Sequence, residues 1–391
     1  MSKPTSKITR TIRSEQVLNA FVKVVRPHLP LDLKKTHITA EDIIYALGYA
    51  NVQRLSIAST CQELQDAPSG NRLREVLVEA LPDRAGVQCA LNRIFHQQLH
   101  PSLLKGKRDY NIAIDLTLIP YHGQPYQDKK EIVRGAPKSG TTHFHGYATV
   151  SIVHDDRRLV VALRFVEYGE EMAEIVRWLI KRVKSLKIHL RRVFLDKGFC
   201  FKPVFKVLDQ HKLSRVVPIP IRGKSGGVRC LFQGKSRKTT YTFHSLKYGA
   251  YTVQAVVTKR YSNGRYGRHT SKWFAYAAAG LPAGITPAQV FELYRQRFGI
   301  ETSYRQMNQV RARTSTRNPT IRLLLVGLAF VLFNLYITLR QNLLSEPQKK
   351  VRINPNVSVL LALSGSQARA CIEHLLGITE VLQIQPCVTL S

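Results

Sequence analysis

Residues 111–120 read NIAIDLTLIP. The side-chain period is two. Ile112, Ile114, Leu116 and Leu118 fall on one side, and Ala113, Asp115, Thr117 and Ile119 on the other, which predicts a β-strand. A lone carboxylate in an otherwise apolar strand is expensive to bury unless it is paired or bound to a cation, so Asp115 is the first candidate functional residue. Working outward, residues 121–143 are loop-like and basic. Strands are expected at 146–154 and 158–166, joined in a hairpin by the turn at Asp155 and Asp156. Residues 170–187 form an amphipathic helix. Residues 191–196 (RRVFLD) are a short apolar strand ending in a second carboxylate, Asp196. A helix over 200–210 and a strand over 215–221 follow.

Strand, strand, strand, helix, strand, helix, strand describes a mixed sheet whose first three strands meander and whose last two arrive by helical crossovers. It is the order of the ribonuclease H-like fold, an α/β class in which the first strand is central and the fourth lies beside it. Asp115, mid-strand, and Asp196, at a strand end, are therefore expected to face each other.

The rest of the chain is organised around this core. Residues 1–14 are a basic tail. Residues 15–104 have helical periodicity and read as an all-helical N-terminal domain, with Thr39 as an N-cap. Within it, residues 56–81 run helix, Pro/Gly turn, helix. That is the outline of a helix-turn-helix, with Arg72 and Arg74 at the start of its second helix, where base-reading side chains sit. An ordinary helical hairpin has the same outline. The catalytic core is expected to take up 108–221 and 284–345. It is interrupted by a β-rich insertion over 222–283, with residues 346–391 as a C-terminal tail. Residues 222–282 hold twelve Lys or Arg, six Tyr, three Phe and Trp273, and no acid occurs between Asp209 and Glu292. Basic residues interleaved with aromatics suit a nucleic-acid backbone and unstacked bases.

Over the whole chain, 59 Lys and Arg stand against 26 Asp and Glu, a net charge of +33 in 391 residues. Such an excess repels itself in the compact state and points to a polyanionic partner, nucleic acid first. Six cysteines, none in a CxxC pair, argue against a zinc ribbon or a dense disulfide framework and fit a reducing cytosol. No apolar stretch follows the basic N-terminus as a signal peptide requires. The apolar run 323–339, 17 residues long, is borderline for a membrane span. A helix buried in a large core is the preferred reading, with no membrane partner.

Residues 286–309 (TPAQVFELYRQRFGIETSYRQMNQ) read as one helix, with Thr286 as N-cap and Pro287 at its first position. At about 100° per residue, Tyr294, Arg297, Glu301 and Asn308 fall within an arc of roughly 60°. Gly299 mid-helix suggests a close approach of the backbone to something. Asp115, Asp196 and Glu301, on separate elements of a basic protein, suggest metal-ion chemistry on phosphodiesters. Carboxylate oxygens suit Mg²⁺, and two such ions can activate an attacking oxygen and stabilise a leaving one.

These residues carry a resemblance. The chain resembles the DDE transposases of bacterial and archaeal insertion sequences, in the group marked Y-(2)-R-(3)-E-(6)-K. Tyr294, Arg297 and Glu301 keep the spacing, and Asn308 stands where that group has lysine. Asp115 in IDLTLIPYHG and Asp196 in FLDKGF match in context. The resemblance implies that Asp115, Asp196 and Glu301 ligate two Mg²⁺ ions, with Mn²⁺ able to substitute. It implies an endonuclease step that leaves a 3′-OH, which then joins target DNA, in this group by way of a hairpin. Tyr294 and Arg297 would grip phosphates. Asn308 would offer only neutral hydrogen bonds, and Arg305, about 20° from Tyr294 on the stripe, is a candidate for the missing charge. Trp273 is a candidate to stack on a flipped base, against plain packing within the insertion. His143 and His145 form a candidate metal pair, against ordinary strand or loop histidines near phosphate. The implied partner is double-stranded DNA, both element ends and target, bound by a homodimer or larger assembly in the cytoplasm, at the nucleoid. Two other readings remain: a ribonuclease H-like nuclease without strand transfer, and a non-catalytic DNA-binding derivative.

Overall fold

The structure is a computed structural model that describes residues 13–34, 36–105, 109–154, 157–263, 269–297, 304–344 and 357–378. Among these the helices are α1 (Ser14–Val25), α2 (Ala40–Gln53), α3 (Ile57–Glu63), α4 (Gly70–Ala80), α5 (Arg84–Gln97), α6 (Pro101–Lys105), α7 (Met172–Ser185), α8 (Lys202–Gln210), α9 (Pro287–Arg295), α10 (Pro319–Leu344) and α11 (Val357–Leu376). The strands are β1 (Tyr110–Pro120), β2 (Val133–Lys138), β3 (Thr141–His154), β4 (Arg157–Val166), β5 (Leu190–Leu195), β6 (Ser214–Pro218), β7 (Arg237–Phe243), β8 (Tyr251–Asn263) and β9 (His269–Ala279). They divide into two compact units, Phe95–Arg305 and a second made of Met1–Ile94 with Gln306–Ser391.

The first unit is built on one nine-stranded sheet in the order β2-β3-β1-β5-β6-β9-β8-β7, with β4 paired to β3. β1 is antiparallel to β3 and parallel to β5, and β5 is parallel to β6. This is the ribonuclease H-like arrangement, with β1 central. The β-rich segment, expected as a separate insertion, instead continues the sheet. Arg215–Pro218 of β6 pair antiparallel with Tyr276–Ala279 of β9, and β8 and β7 follow. Ala275, Ala277 and Ala278 of β9 are buried there. The loop expected over 121–143 also contains β2, which pairs with the start of β3. Glu131, buried, accepts the backbone N–H of Tyr126 at 2.8 Å and so orders the turn before it.

Two layers cover the sheet. α7 and α8 bury apolar stripes: Ile175, Val176, Leu179, Ile180 and Val183 in α7, and Val204, Phe205, Val207 and Leu208 in α8. α9 contributes to a cluster with Ala113, Phe194, Val216, Val256 and Tyr276. Since successive strand residues alternate in direction, Ala113 places Asn111 and Asp115 on the α9 side as well. α9 starts as expected: Thr286 Oγ1 accepts from Gln289 N at 3.2 Å, and Gln289 Oε1 accepts from Thr286 N at 2.8 Å. It does not run to Gln309. The helix ends at Arg295, residues 296–297 form a turn, and of the described residues from there to Gln309 only 304–307 are helical. The single stripe linking Tyr294 to Asn308 is thereby broken.

The helical unit joins both ends of the chain. Thr39 caps α2, accepting from Asp42 N at 3.1 Å. Leu18, Tyr49 and Leu64 pack with Cys371, Ile372 and Leu376 of α11, and Tyr49 Oη lies 2.8 Å from Glu373 Oε1. The segment before α10 is pinned to α2, where Arg313 N donates to Leu55 O at 3.0 Å and Ala312 N to Asn51 Oδ1 at 3.2 Å. Among the described residues one helix is long and apolar enough to cross a membrane, Pro319–Leu339, and 94% of its most apolar 18-residue window is buried inside the molecule. α10 was expected with the catalytic core and residues 346–391 as a tail. Both α10 and the described part of that tail, α11, pack instead among the N-terminal helices. A 3.6-residue period marks a helix's buried face but not which partner buries it.

α3 and α4 reproduce the helix, turn, helix outline and approach closely at Gly70. A Cβ there would lie 2.6 Å from the Ala58 Cα, a backbone atom that cannot yield. Gly70→Ala is expected to destabilise the helical unit by about 1–3 kcal/mol, the range for overpacking, as read by urea unfolding. Unchanged stability would mean that the two helices are free to move apart.

Candidate active site

β1 and β5 are parallel neighbours, with Ile114 opposite Leu195, so the next residue on each strand is an aspartate. Asp115 is buried and Asp196, just past the end of β5, keeps a side chain 38% exposed. Arg297 lies in the turn that ends α9. Its Nη2 donates to Asp115 Oδ2 at 3.0 Å, and its Nη1 lies 3.6 Å from Asp196 Oδ1. The other oxygen of Asp115 accepts Leu116 N–H at 2.9 Å. One buried guanidinium therefore balances two carboxylates brought together by the sheet.

The surroundings hold this cation in place. Tyr294, 4% exposed, donates its hydroxyl to Leu195 O at 3.1 Å and carries the Arg297 guanidinium 5.8 Å above its ring. It thus clamps the strand end that presents Asp196. Burial pushes the Tyr294 phenol far above its ordinary pKa, so it stays a neutral donor. Thr149, opposite Asp115 on β3, shares a 2.6 Å hydrogen bond with the Tyr304 phenol. Burial, and then the charge of Asp115, raise that phenol as well.

Tyr294 and Arg297 were expected to reach along DNA. Here both point into the protein, since 294–297 lie over the sheet and the polar groups beneath require partners. Tyr294→Phe is expected to cost about 1 kcal/mol through the lost bond to the Leu195 carbonyl, with DNA affinity unchanged. Thermal unfolding and a DNA-binding titration check the two halves; weakened DNA binding would return Tyr294 to the surface role.

Glu301 and Gly299 lie outside the described residues. Among those described, no three His, Cys, Asp or Glu side chains cluster to hold a metal, and Asp115 with Asp196 supply two. Their donor chemistry fits a divalent cation. Carboxylate oxygens are the hard ligands that Mg²⁺ or Mn²⁺ takes, and in this structure the positive charge facing them is that of Arg297. Arg305 is exposed, next to Tyr304. Asn308 is exposed in the helical unit, where its Oδ1 accepts from Arg311 Nε at 3.1 Å.

Trp273 is half-buried on β9. Its ring stacks on Phe232, centroids 5.7 Å apart at 5°, with Lys259 Nζ 5.5 Å from it. The packing alternative therefore describes this conformation, and that face of the indole is already covered. His143 contacts Arg134, and His145 is buried 4.6 Å from the Tyr121 ring. Arg72 and Arg74 are exposed on α4. They are held along the helix by Glu75 at 3.3 Å and by the Gly70 carbonyl at 3.2 Å.

Thr149 and Tyr304 escaped sequence reasoning, because their contact depends on the β1–β3 register. The role of Arg297 had a signal: an acid inside an apolar strand demands a cation.

A family profile described as Transposase DDE domain matches residues 106–335, more than half of the chain. No curated protein matches it in sequence. Among solved structures the chain is similar to the piggyBac transposase in a synaptic complex with hairpin DNA, determined by cryo-EM. The TM-score is 0.56 at 13% identity, covering 97% of this chain and 84% of that one. At this identity the likeness is one of fold.

Proposed function

The chain belongs to the transposase DDE-domain family, and on that premise we propose that it is a DNA transposase that cuts and joins phosphodiesters at Asp115, Asp196 and Glu301. The observation that carries this reading is the convergence of Asp115 and Asp196, from parallel neighbouring strands, on one buried cation. Transposases of this family generally use divalent metals. Asp115 and Asp196, joined by Glu301, would hold two Mg²⁺ ions, which when bound activate the attacking oxygen and stabilise the leaving one.

The chain's own residues do the rest. The Leu116 N–H fixes the Asp115 carboxylate, and Tyr294 fixes the backbone that carries Asp196. Arg297 neutralises the acids before DNA arrives. In the first reaction a water oxygen bonds to phosphorus and the P–O3′ bond breaks, leaving a 3′-OH and a 5′-phosphate. In the second, that 3′-OH attacks another phosphodiester, forming one P–O bond as one breaks, so no external energy source is needed. Attack on the opposite strand would give a hairpin, the DNA form in the similar piggyBac complex. Arg305 and Asn308 remain the proposed DNA contacts flanking Glu301, and Arg72 and Arg74 those of the helical unit. Bridging two element ends calls for two or more copies of the chain.

The test is incubation of the protein with Mg²⁺, DNA carrying the element's own inverted ends, and a target plasmid. New 3′-OH ends together with joined products support a transposase. Ends without joining support the nuclease reading instead, and neither would leave a DNA-binding derivative.

A further inference from the structure

On the same face of the sheet, at the opposite end of β1 and β5, lies a second concentration of positive charge that the acid pair does not use. Arg192 sits two residues before Phe194 and shares its α9-side orientation. It is 5% exposed. Among the described residues its side chain makes no hydrogen bond or ion pair, and its Nε, fully enclosed, meets no acceptor. The neighbouring charge acting on it is Arg191, of the same sign. A guanidinium does not escape burial by losing its proton. A buried cation without a counter-charge is among the costliest features a fold can carry.

The space beside it accounts for the cost. Arg191 and Arg192 both line an open cleft of about 720 Å³, bounded by Asn111 on β1, by Gln289 and Gln296, and by the apolar Pro282, Ile285, Ala288 and Leu293. Glu292 is the one acid in that lining, and it is committed at 2.9 Å to both Arg260 and Arg295. The last turn of α9 borders the cleft as well, but Arg192 donates to none of its carbonyls. The cleft is therefore positive, has a buried donor with no acceptor, and opens to solvent.

We infer that this cleft is a phosphate-binding site, with Arg192 as its buried ligand and Arg191 as the exposed cation at its mouth. A planar guanidinium matches phosphate oxygens in geometry as well as charge. Asn111 and Asp115 lie on one side of β1, four residues or ~13 Å apart. A DNA strand lying across the acid pair would meet the cleft within a few nucleotides, so a backbone phosphate is the source the position favours. This source rests on the transposase reading; the affinity for phosphate does not.

The test uses the full chain in an Asp115→Asn background without divalent metal, so that no readout depends on cutting. Thermal unfolding is followed with inorganic phosphate, a deoxynucleoside monophosphate and a short single-stranded oligonucleotide. Arg192→Met is compared with Arg192→Lys. The expected result is that phosphate raises the Tm of the parent. Arg192→Met should melt higher than the parent in the absence of anion, because it removes an unpaired charge, and should lose the phosphate response, which Arg192→Lys retains in part. Oligonucleotide binding by Arg192→Met should weaken, with the slope of log K against log salt reduced by about one. A phosphate response lost in Arg192→Met, with the oligonucleotide slope unchanged, supports the site and assigns it to a free phosphate compound. An Arg192→Met variant that melts lower and keeps the full phosphate response overturns the inference.

Discussion

Asp115→Asn is expected to abolish metal-dependent DNA cleavage, with the rate falling by about 10³-fold or more, while DNA binding persists. Asparagine keeps the shape of the side chain, and its carbonyl can still accept from Leu116 N–H or from Arg297. What it loses is the negative charge that a divalent cation requires in this position. Asp115→Ala is the harsher variant. It strips the buried Arg297 of its shorter ion pair, at 3.0 Å, and breaking such a pair costs about 3–5 kcal/mol. Comparing the two separates chemistry from folding. A gel assay for new 3′ ends and an anisotropy titration with the same DNA supply the readouts. Cleavage that survives in Asp115→Asn would remove Asp115 from the reaction.

Arg297→Met is expected to lose about 3 kcal/mol of stability in metal-free buffer. The value sits at the low end for a broken buried pair, because the Asp196 side chain is 38% exposed and solvent screens its share. Without the guanidinium, two carboxylates on adjacent strands lose their common counter-charge. Millimolar Mg²⁺ should then restore stability, since a ligand that binds only the folded state adds about 2.7 kcal/mol at a hundred times its Kd. The wild-type protein should gain less from the same addition, its site already holding a cation of its own. Chemical denaturation with chelator or with Mg²⁺ checks both halves. A variant as stable as wild type in chelator would show that the acids do not depend on Arg297.

Much of this arrangement was legible in the sequence, for reasons that can be traced to particular residues. The alternation in NIAIDLTLIP determined which side of β1 holds Asp115, and the crossover order placed Asp196 beside it. Thr286 and Pro287 marked the start of α9 through local backbone chemistry alone. The end of α9 was not legible, because no proline or glycine marks Arg295. The turn at 296–297 is set by what lies beneath it, where Arg297 meets Asp115 and Asp196. The same residue explains why a surface role was expected of it. Its position on a helical stripe suggested exposure, whereas its partners sit on strands more than a hundred residues earlier. Nor could periodicity foresee that β9 joins β6, since the alternating runs in the basic segment are equally compatible with a free-standing sheet. The assignment of α10 and α11 to the N-terminal helices was hidden for a related reason. An apolar face declares that it will be covered but leaves the covering element unnamed.

That last assignment has a consequence for how the molecule is made. The nine-stranded sheet is drawn from one uninterrupted span, Phe95–Arg305, whereas the helical unit needs Met1–Ile94 and Gln306–Ser391 together. During synthesis the first helices emerge from the ribosome without α10 and α11, and their apolar faces wait for some two hundred residues to follow. At about 5–20 residues per second that wait is on the order of ten seconds or more, long compared with the folding of a sheet domain. The sheet unit is thus free to fold first, and the helical unit closes last. A nascent chain stalled before Pro319 should present a protease-resistant sheet alongside helices that are still digestible.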